Sequence, residues 1–497
     1  MRAGAQDQER QPDPDQAPQQ QPDDWIDHDD DDAPASGVFW DIVEESLDEA
    51  EFLWRRREAA LAAHDRTPAD VEDRIEDRWL GAIEGLCAPS TAAVRRVLAP
   101  ALQSEDPAVV TVAAFALLTE ATVEGITCFR EAFLGGAGSR LASLRRALEL
   151  VPASTFLAEL APAVRTAPDP VRAAFLDACC FRGLSLESQL GELLACADPE
   201  LQRAAARMLG VVSPADRARW LPRALELNDS PAREAAVIAG LIAGTRAAWT
   251  ACRALATADL HPSAAMLVPL AMSGARRDHD QVVGALARPQ RQRGALWALG
   301  FGGWRSGADA CVEMLAQDRH ALLAAEALVA ITGLDLCGAG LAAAAPSSTP
   351  TGPSGQGAGD NDNIPAFEDE DLDAELVPTA EDNLPAPDVP GVIRWWNRNR
   401  ARFDPDTRYL GGRATGIGVV VDALAHGPMR RRPMLAFELA VRTQGRFQLQ
   451  TGGLLRDQRR RLVTFAARGF DPGRSHPGAP DACEEPRRQE TSTRARR

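Results

Sequence analysis

Prolines that introduce apolar helices stand at Pro170, Pro199, Pro231, Pro262 and Pro289, separated by 29, 32, 31 and 27 residues. The text around them recurs as DPVRAAFLDACC, DPELQRAAARMLG, SPAREAAVIAGL and, less closely, RPQRQRGALWALG. Proline lacks an N–H and fixes φ, so it suits the first turn of a helix and breaks later ones. An Asp or Ser ahead of it caps the open first turn. Apolar residues then follow at helical spacing, as in Leu201, Ala204, Ala205, Met208 and Leu209. A further 29 residues beyond Pro289 falls on Asp318, which opens a helix over Ala321–Ile331. Backwards, Pro107 lies 63 residues before Pro170, about two steps, with a degenerate unit near Gly135–Leu150 between them. A unit near thirty residues holds two helices and a turn, and it buries its stripe only by stacking on neighbours. The expected fold is all-α: an α-solenoid of roughly seven to eight helical hairpins, with no sheet of three or more strands.

Composition shifts divide the rest of the chain. Residues 1–36 are rich in Gln, Pro and Asp and end in Asp27-His28-Asp29-Asp30-Asp31-Asp32, which reads as a disordered, solvated acidic tail rather than a metal site. Residues 37–89 predict an N-terminal helical hairpin, with Val43, Leu47, Ala50 and Trp54 on one face and Ile75, Trp79 and Ile83 on the next. The repeats occupy 90–337. Residues 338–390 read as a flexible linker with an acidic end, 391–470 as a basic helical C-terminal module, and 471–497 as a second disordered tail. The net charge of −17 divides accordingly: −14 over residues 1–50, −4 over 51–359, −11 over 360–390 and +12 over 391–497. The repeat body is nearly neutral, and the acidity sits outside it.

All 54 basic residues are Arg, which removes chemistry that needs lysine: P-loops, kinase ATP-pairing lysines, Schiff bases and Ser-Lys dyads. Nine scattered cysteines form no CxxC, and the adjacent pair Cys179-Cys180 falls on a repeat helix, where burial is the expected role. No two of the seven histidines are three or four residues apart, so none pair as metal ligands on a helix face. His279, between Asp278 and Asp280 in SGARRDHDQ, reads as a solvent-facing loop residue rather than a proton shuttle. No catalytic residue, cofactor, metal or small-molecule substrate is expected. The absence of an apolar leader or spanning run gives the expectation of a cytoplasmic protein without membrane contact.

The D-P-x-x-R-x-A-A-x-x-A-L-G lines resemble HEAT-like repeats of the short bacterial kind. LDEAEFLWRRREAAL at Leu47–Leu61, EALVAITGLDL at Glu326–Leu336, VIRWWNRNRARFDPDTRYL at Val392–Leu410 and RRPMLAFEL at Arg431–Leu439 are similar to a family of uncharacterised proteobacterial HEAT-like repeat proteins, sometimes near type VI secretion genes. That resemblance implies the solenoid and hands over no catalytic residue. By fold analogy it leaves two enzymes open, an alkylpurine DNA glycosylase and a phycobilin lyase.

In the basic module, Trp395 and Trp396 with Arg398 suggest a base-stacking platform, or else a helix that packs its indoles on the end of the solenoid with Arg outward. Gly411, Gly412, Gly416 and Gly418 match no phosphate-loop spacing and read as a turn. The runs Arg430, Arg431, Arg432 and Arg459, Arg460, Arg461 complete the candidate interaction surface. The expected function is a non-enzymatic protein–protein interaction scaffold, accessory to a secretion or other multiprotein assembly, that binds its partner on a concave face. The alternative is a nucleic-acid-binding or DNA-repair module that uses the Arg/Trp segment.

Overall fold

Asp106, Asp198 and Asp229 each accept a backbone N–H from the first turn of the helix they precede, and Pro107, Pro199 and Pro231 lie inside those first turns. The computed structural model describes residues 38–151, 155–186, 189–258, 263–343, 381 and 383–468. Within them the chain is helical almost throughout, and the strands found are a two-stranded hairpin, so the all-α reading holds. Two details of the capping pattern differ from expectation. Asp229, not Ser230, caps its helix. Asp169 lies within the helix it opens and pairs with Arg172 at 2.7 Å, leaving Pro168 as the uncapped boundary. Pro289 opens a 3-10 turn that runs into the helix Gln292–Gly302. Pro262 lies outside the described residues, as do the two acidic or polar tails.

Two sets of helices alternate along the array. Pro107–Glu120, Gly138–Leu150, Asp169–Arg182, Pro199–Met208 and Ser230–Ile242 pack in succession, and so do Leu267–Met272, Gln292–Gly302 and Asp318–Thr332. Arg246–Thr257 joins these two runs. Val123–Leu134, Pro214–Ala224, Arg276–Ala285 and Arg305–Met314 belong to the second row. The stripe read from the sequence is the contact surface: Leu201, Ala204, Ala205, Met208 and Leu209 are all fully buried. Alanine at these positions lets neighbouring backbones approach closely.

The N-terminal hairpin seats on the first repeat. Trp40–Ala60 buries Val43, Ala50, Leu53 and Trp54, and Thr67 with Asp70 forms a reciprocal cap on the following helix. That helix passes through a π-turn at Glu72–Glu76 and continues as Asp77–Cys87. Trp54 lies 5.4 Å from Trp79, and Trp79 lies 4.6 Å from Phe115 of the first repeat helix, so one aromatic stack joins hairpin and array.

The C-terminal module is part of the same core. Val389–Asn399, the strands Tyr409–Leu410 and Arg413–Ala414, and the helices Ile417–His426, Arg432–Arg442 and Leu455–Ala467 follow one another. The turn at Gly411 and Gly412 has φ of 57° and 75°, the left-handed pair that a two-residue hairpin loop requires. Leu424, Leu435 and Leu439 share one buried cluster with Leu241, Leu299 and Ile331 of the repeats. The described residues from Asp41 onward form a single compact unit.

The linker is shorter than its composition suggested. Ala342 bridges Pro387, Ala343 N–H donates to Ala386 O at 2.7 Å, and Asp388 N–H donates to Leu341 O at 2.7 Å. Residues 338–343 and 383–388 therefore belong to the ordered body, and the intervening acidic segment lies outside the described residues. Leu209 is fully buried in the stacking stripe. Leu209→Ala is expected to cost about 2–5 kcal/mol in urea denaturation of the whole chain, and a cost below about 1 kcal/mol would contradict the stacking assignment.

Candidate functional site

The last carbonyls of a helix have no N–H donors within it, and the helix end carries partial negative charge. The basic module lies across such ends. Arg408 donates to Gly302 O at 2.8 Å, Phe301 O at 2.9 Å and Met272 O at 3.1 Å, joining the ends of two successive repeat helices. It also pairs with the buried Glu438 at 3.2 Å, which Arg442 holds at 2.7 Å. Burial alone would raise the pKa of Glu438, but the two guanidiniums more than reverse this and hold it below the usual carboxylate range. Backbone groups extend the pattern: Tyr409 N–H donates to Gly303 O, Gly411 N–H to Ala330 O and Gly412 N–H to Ile331 O, at 2.7, 2.8 and 2.9 Å. A Cβ at Gly333 would lie 2.6 Å from Gly411 O, so this approach requires glycine there.

The same module reaches the N-terminal hairpin. Met429 N–H donates to Arg66 O and Arg430 N–H to Ala63 O, both at 2.9 Å. Arg57, itself fully buried, donates to Gly452 O and Gly453 O, and Leu455 N–H donates to Glu76 Oε2 at 2.7 Å. Arg430 meanwhile sends its guanidinium to Glu326 of the last repeat helix at 3.1 Å and to Glu381 at 3.0 Å. One residue thus ties the first and last elements of the array together.

The candidate interaction residues fall into three groups. Trp396 is buried, its indole N–H donating to Asp309 at 2.9 Å, while Arg400 grips the same carboxylate with bonds of 2.7 and 2.8 Å. Trp395 is half-buried, 6.5 Å from Trp396, and Arg398 is exposed. Arg430, Arg431 and Arg432 turn inward: Arg430 as above, Arg432 onto Leu424 O and Gln458, and Arg431 against the faces of Phe301 and Trp297 at 3.9 and 5.1 Å. Arg459, Arg460 and Arg461 are exposed at their tips, paired respectively with Glu72, Asp457 and the Gln448 carbonyl. The structure therefore does not assemble these residues into one surface.

Two openings border the module. A cavity of about 460 Å³ lies between the last repeat helix, the N-terminal hairpin and the module. Leu322, Val329, Leu334, Leu410, Ala423 and Leu435 give it apolar walls, and its charged lining residues are the buried Arg431, the half-buried Glu326 and the exposed Asp335 and Arg413. A more open groove of about 540 Å³ crosses the repeats from Gly138–Leu150 to Ser230–Ile242, floored by Phe181, Val211, Ile238 and Ile242 and walled by Gln448 and Gln450. Along it Asp177 bridges Arg145 at 3.1 Å and Arg207 at 2.7 Å, residues one repeat apart on three successive helices. Sequence reasoning missed both openings. A usable signal was the run Arg430–Arg432 at a helix start: successive side chains there diverge by about 100°, so three cannot share one solvated face.

His279 also departs from expectation. It lies in the helix Arg276–Ala285, buried, with Nε2 2.8 Å from Ser306 Oγ, and the neighbouring Asp278 is buried against Arg253. Burial pulls its pKa down to about 4. Cys179 and Cys180 behave as expected, burial raising both thiols, Cys179 to about 12. Among the described residues no group of His, Cys, Asp and Glu is arranged to hold a metal ion, and no helix is long and apolar enough to cross a membrane. No protein-family model matches the chain, and no curated protein matches it in sequence.

Two measurements follow. His279 is neutral when folded and takes a proton at its ordinary pKa of 6.5 when unfolded, so its contribution is complete above that value and is lost as pH falls towards 4. The loss amounts to roughly 3 kcal/mol, and His279→Gln should reduce the stability difference between neutral pH and pH near 4.5 by about that amount. Arg408→Met strands Glu438 with one partner and strips three carbonyls, and it should cost about 3–5 kcal/mol in the same assay.

Proposed function

We propose that this chain is a non-enzymatic, cytoplasmic scaffold of HEAT-like repeats, related to the uncharacterised proteobacterial family it resembles, that binds a segment of another protein within a multiprotein assembly. The observation that carries the reading is the open groove over the repeat helices. It combines a half-buried apolar floor at Phe181, Ile238 and Ile242 with the Arg145–Asp177–Arg207 ladder, a mixed surface that follows the repeat and suits an extended polypeptide. The chain's own segment around Gln448–Gly453 already runs along this edge, with Gln448 donating to Gly210 O at 3.1 Å and Arg146 to Gly452 O at 2.7 Å.

The nucleic-acid alternative draws little support from the module's geometry. A stacking platform needs exposed aromatic faces, and Trp396 is buried while Trp297 is covered by Arg430 and Arg431. Most of the arginines that would track phosphates are occupied by carbonyls and carboxylates of the same chain.

A photo-crosslinking amino acid at Ile238, in the full chain expressed in its native host, should give a discrete protein adduct. The adduct should be lost with Asp177→Arg and should not form from the exposed Arg219 on Pro214–Ala224. Adducts to nucleic acid, or equal labelling from both positions, would reject the groove. Duplex or single-stranded DNA binding with a steep salt dependence would favour the alternative instead.

A further inference from the structure

Arg431 is only 6% exposed, and among the described residues none of its three guanidinium nitrogens has a hydrogen-bond partner. Its nearest carboxylate oxygen, Glu326 Oε1, is 4.0 Å away and is engaged by Arg430 at 3.1 Å, while Glu326 Oε2 has no partner. Stacking on Phe301 stabilises the charge but leaves the N–H groups unanswered. Burying an arginine this way is costly, and the array makes specific room for it: a Cβ at Gly300 would lie 3.0 Å from Nη2. Among the described residues its paired carboxylate is Glu326, which it shares with Arg430, while Glu381 is engaged by Arg293 and Arg430 at 2.9 and 3.0 Å. Arg431 lines a mostly apolar cavity of about 460 Å³, whose other charged lining residues are Glu326, Asp335 and Arg413. That volume falls in the range of small-molecule sites, roughly 300–1,000 Å³.

We propose that this cavity binds an apolar monocarboxylate, its carboxylate on Arg431, a neighbouring hydroxyl donating to Glu326 Oε2, and its hydrocarbon body against Leu322, Val329, Leu334 and Leu435. An anion supplies the acceptors that Arg431 lacks, and a planar carboxylate matches the fork of the guanidinium. The hydroxyl answers the one free carboxylate oxygen beside it. An apolar tail fits the mostly aliphatic walls, which also carry His64, Asp335 and Arg413. This site is distinct from the open groove assigned to a protein partner, and it stands or falls independently of that reading.

The test is calorimetric titration of the full chain with 3-hydroxydecanoate, decanoate and 1-decanol. Affinity is expected in that order, with decanol at least tenfold weaker than decanoate. Arg431→Met should lower the affinity for both carboxylates at least tenfold and leave decanol unchanged. Ala423→Trp, which fills the cavity from the Ile417–His426 helix, an element that holds neither Arg431 nor the rings it stacks on, should abolish binding of all three. Circular dichroism and thermal melting of each variant check that it folds, and if Arg431→Met does not fold, the Ala423→Trp variant and the ligand series decide. Decanol binding as tightly as decanoate, carboxylate binding that survives either substitution in a folded chain, or no binding of any probe would each overturn the proposal.

Discussion

A stack of parallel-running helices leaves a row of carbonyl ends along one edge, and nothing within the stack itself can answer them. Here the answer comes from the C-terminal module: Arg408 across Met272, Phe301 and Gly302, and the backbone of Tyr409, Gly411 and Gly412 across Gly303, Ala330 and Ile331. Part of the positive charge of residues 391–468 is used in this contact. Arg408 faces the negative ends of helix dipoles, and Arg408, Arg400 and Arg430 meet the carboxylates Glu438, Asp309 and Glu326. The contact also explains why arginine suits these positions. A guanidinium offers five donors in a fixed plane, enough for Arg408 to hold three carbonyls and a carboxylate at once, whereas an ammonium has three donors on a flexible stem.

Closure follows from the same contact. Repeat arrays ordinarily end in capping units that shield their terminal stripes. In this chain the N-terminal hairpin and the last repeat helix converge on one module, with Arg430 bonded through its backbone to Ala63 and through its side chain to Glu326. The hairpin's own buried arginine, Arg57, completes the link through Glu76, Gly452 and Gly453. Pinning both ends restricts the flexing typical of an open solenoid, because each end can move only if the module's core of Leu424, Leu435 and Leu439 is disrupted.

Much of the architecture was legible because its grammar is local. Capping Asp, first-turn Pro and a stripe at helical spacing all lie within one helix. What escaped was long-range pairing. Trp396 meets Asp309 across 87 residues, and Arg408 meets Gly302 across 106, distances over which composition carries no signal. His279 misled for a related reason: the flanking Asp278 and Asp280 look solvated, yet Asp278 is paired with Arg253 of the helix Arg246–Thr257, which lets that turn sink into the core. The triple arginine was the opposite case, a charged run whose helical geometry already required inward-facing members.

The two openings relate differently to closure. The groove over Asp177 and Ile238 is built almost wholly from consecutive repeats, so its shape depends on stacking and only one wall depends on the module. The cavity at Arg431 draws His64 from the hairpin, Leu334 from beyond the last repeat helix and Leu435 from the module, three parts of the chain that meet only when the array is closed. A molecule held there touches all three and is released if any one departs. Occupancy of the cavity and closure of the array would then be thermodynamically linked: a ligand at free concentration c that binds only the closed form stabilises it by RT ln(1 + c/Kd), about 2.7 kcal/mol at a hundredfold excess over Kd. On the ligand proposal above, the Arg431 guanidinium would be the point through which a small molecule favours closure of the array.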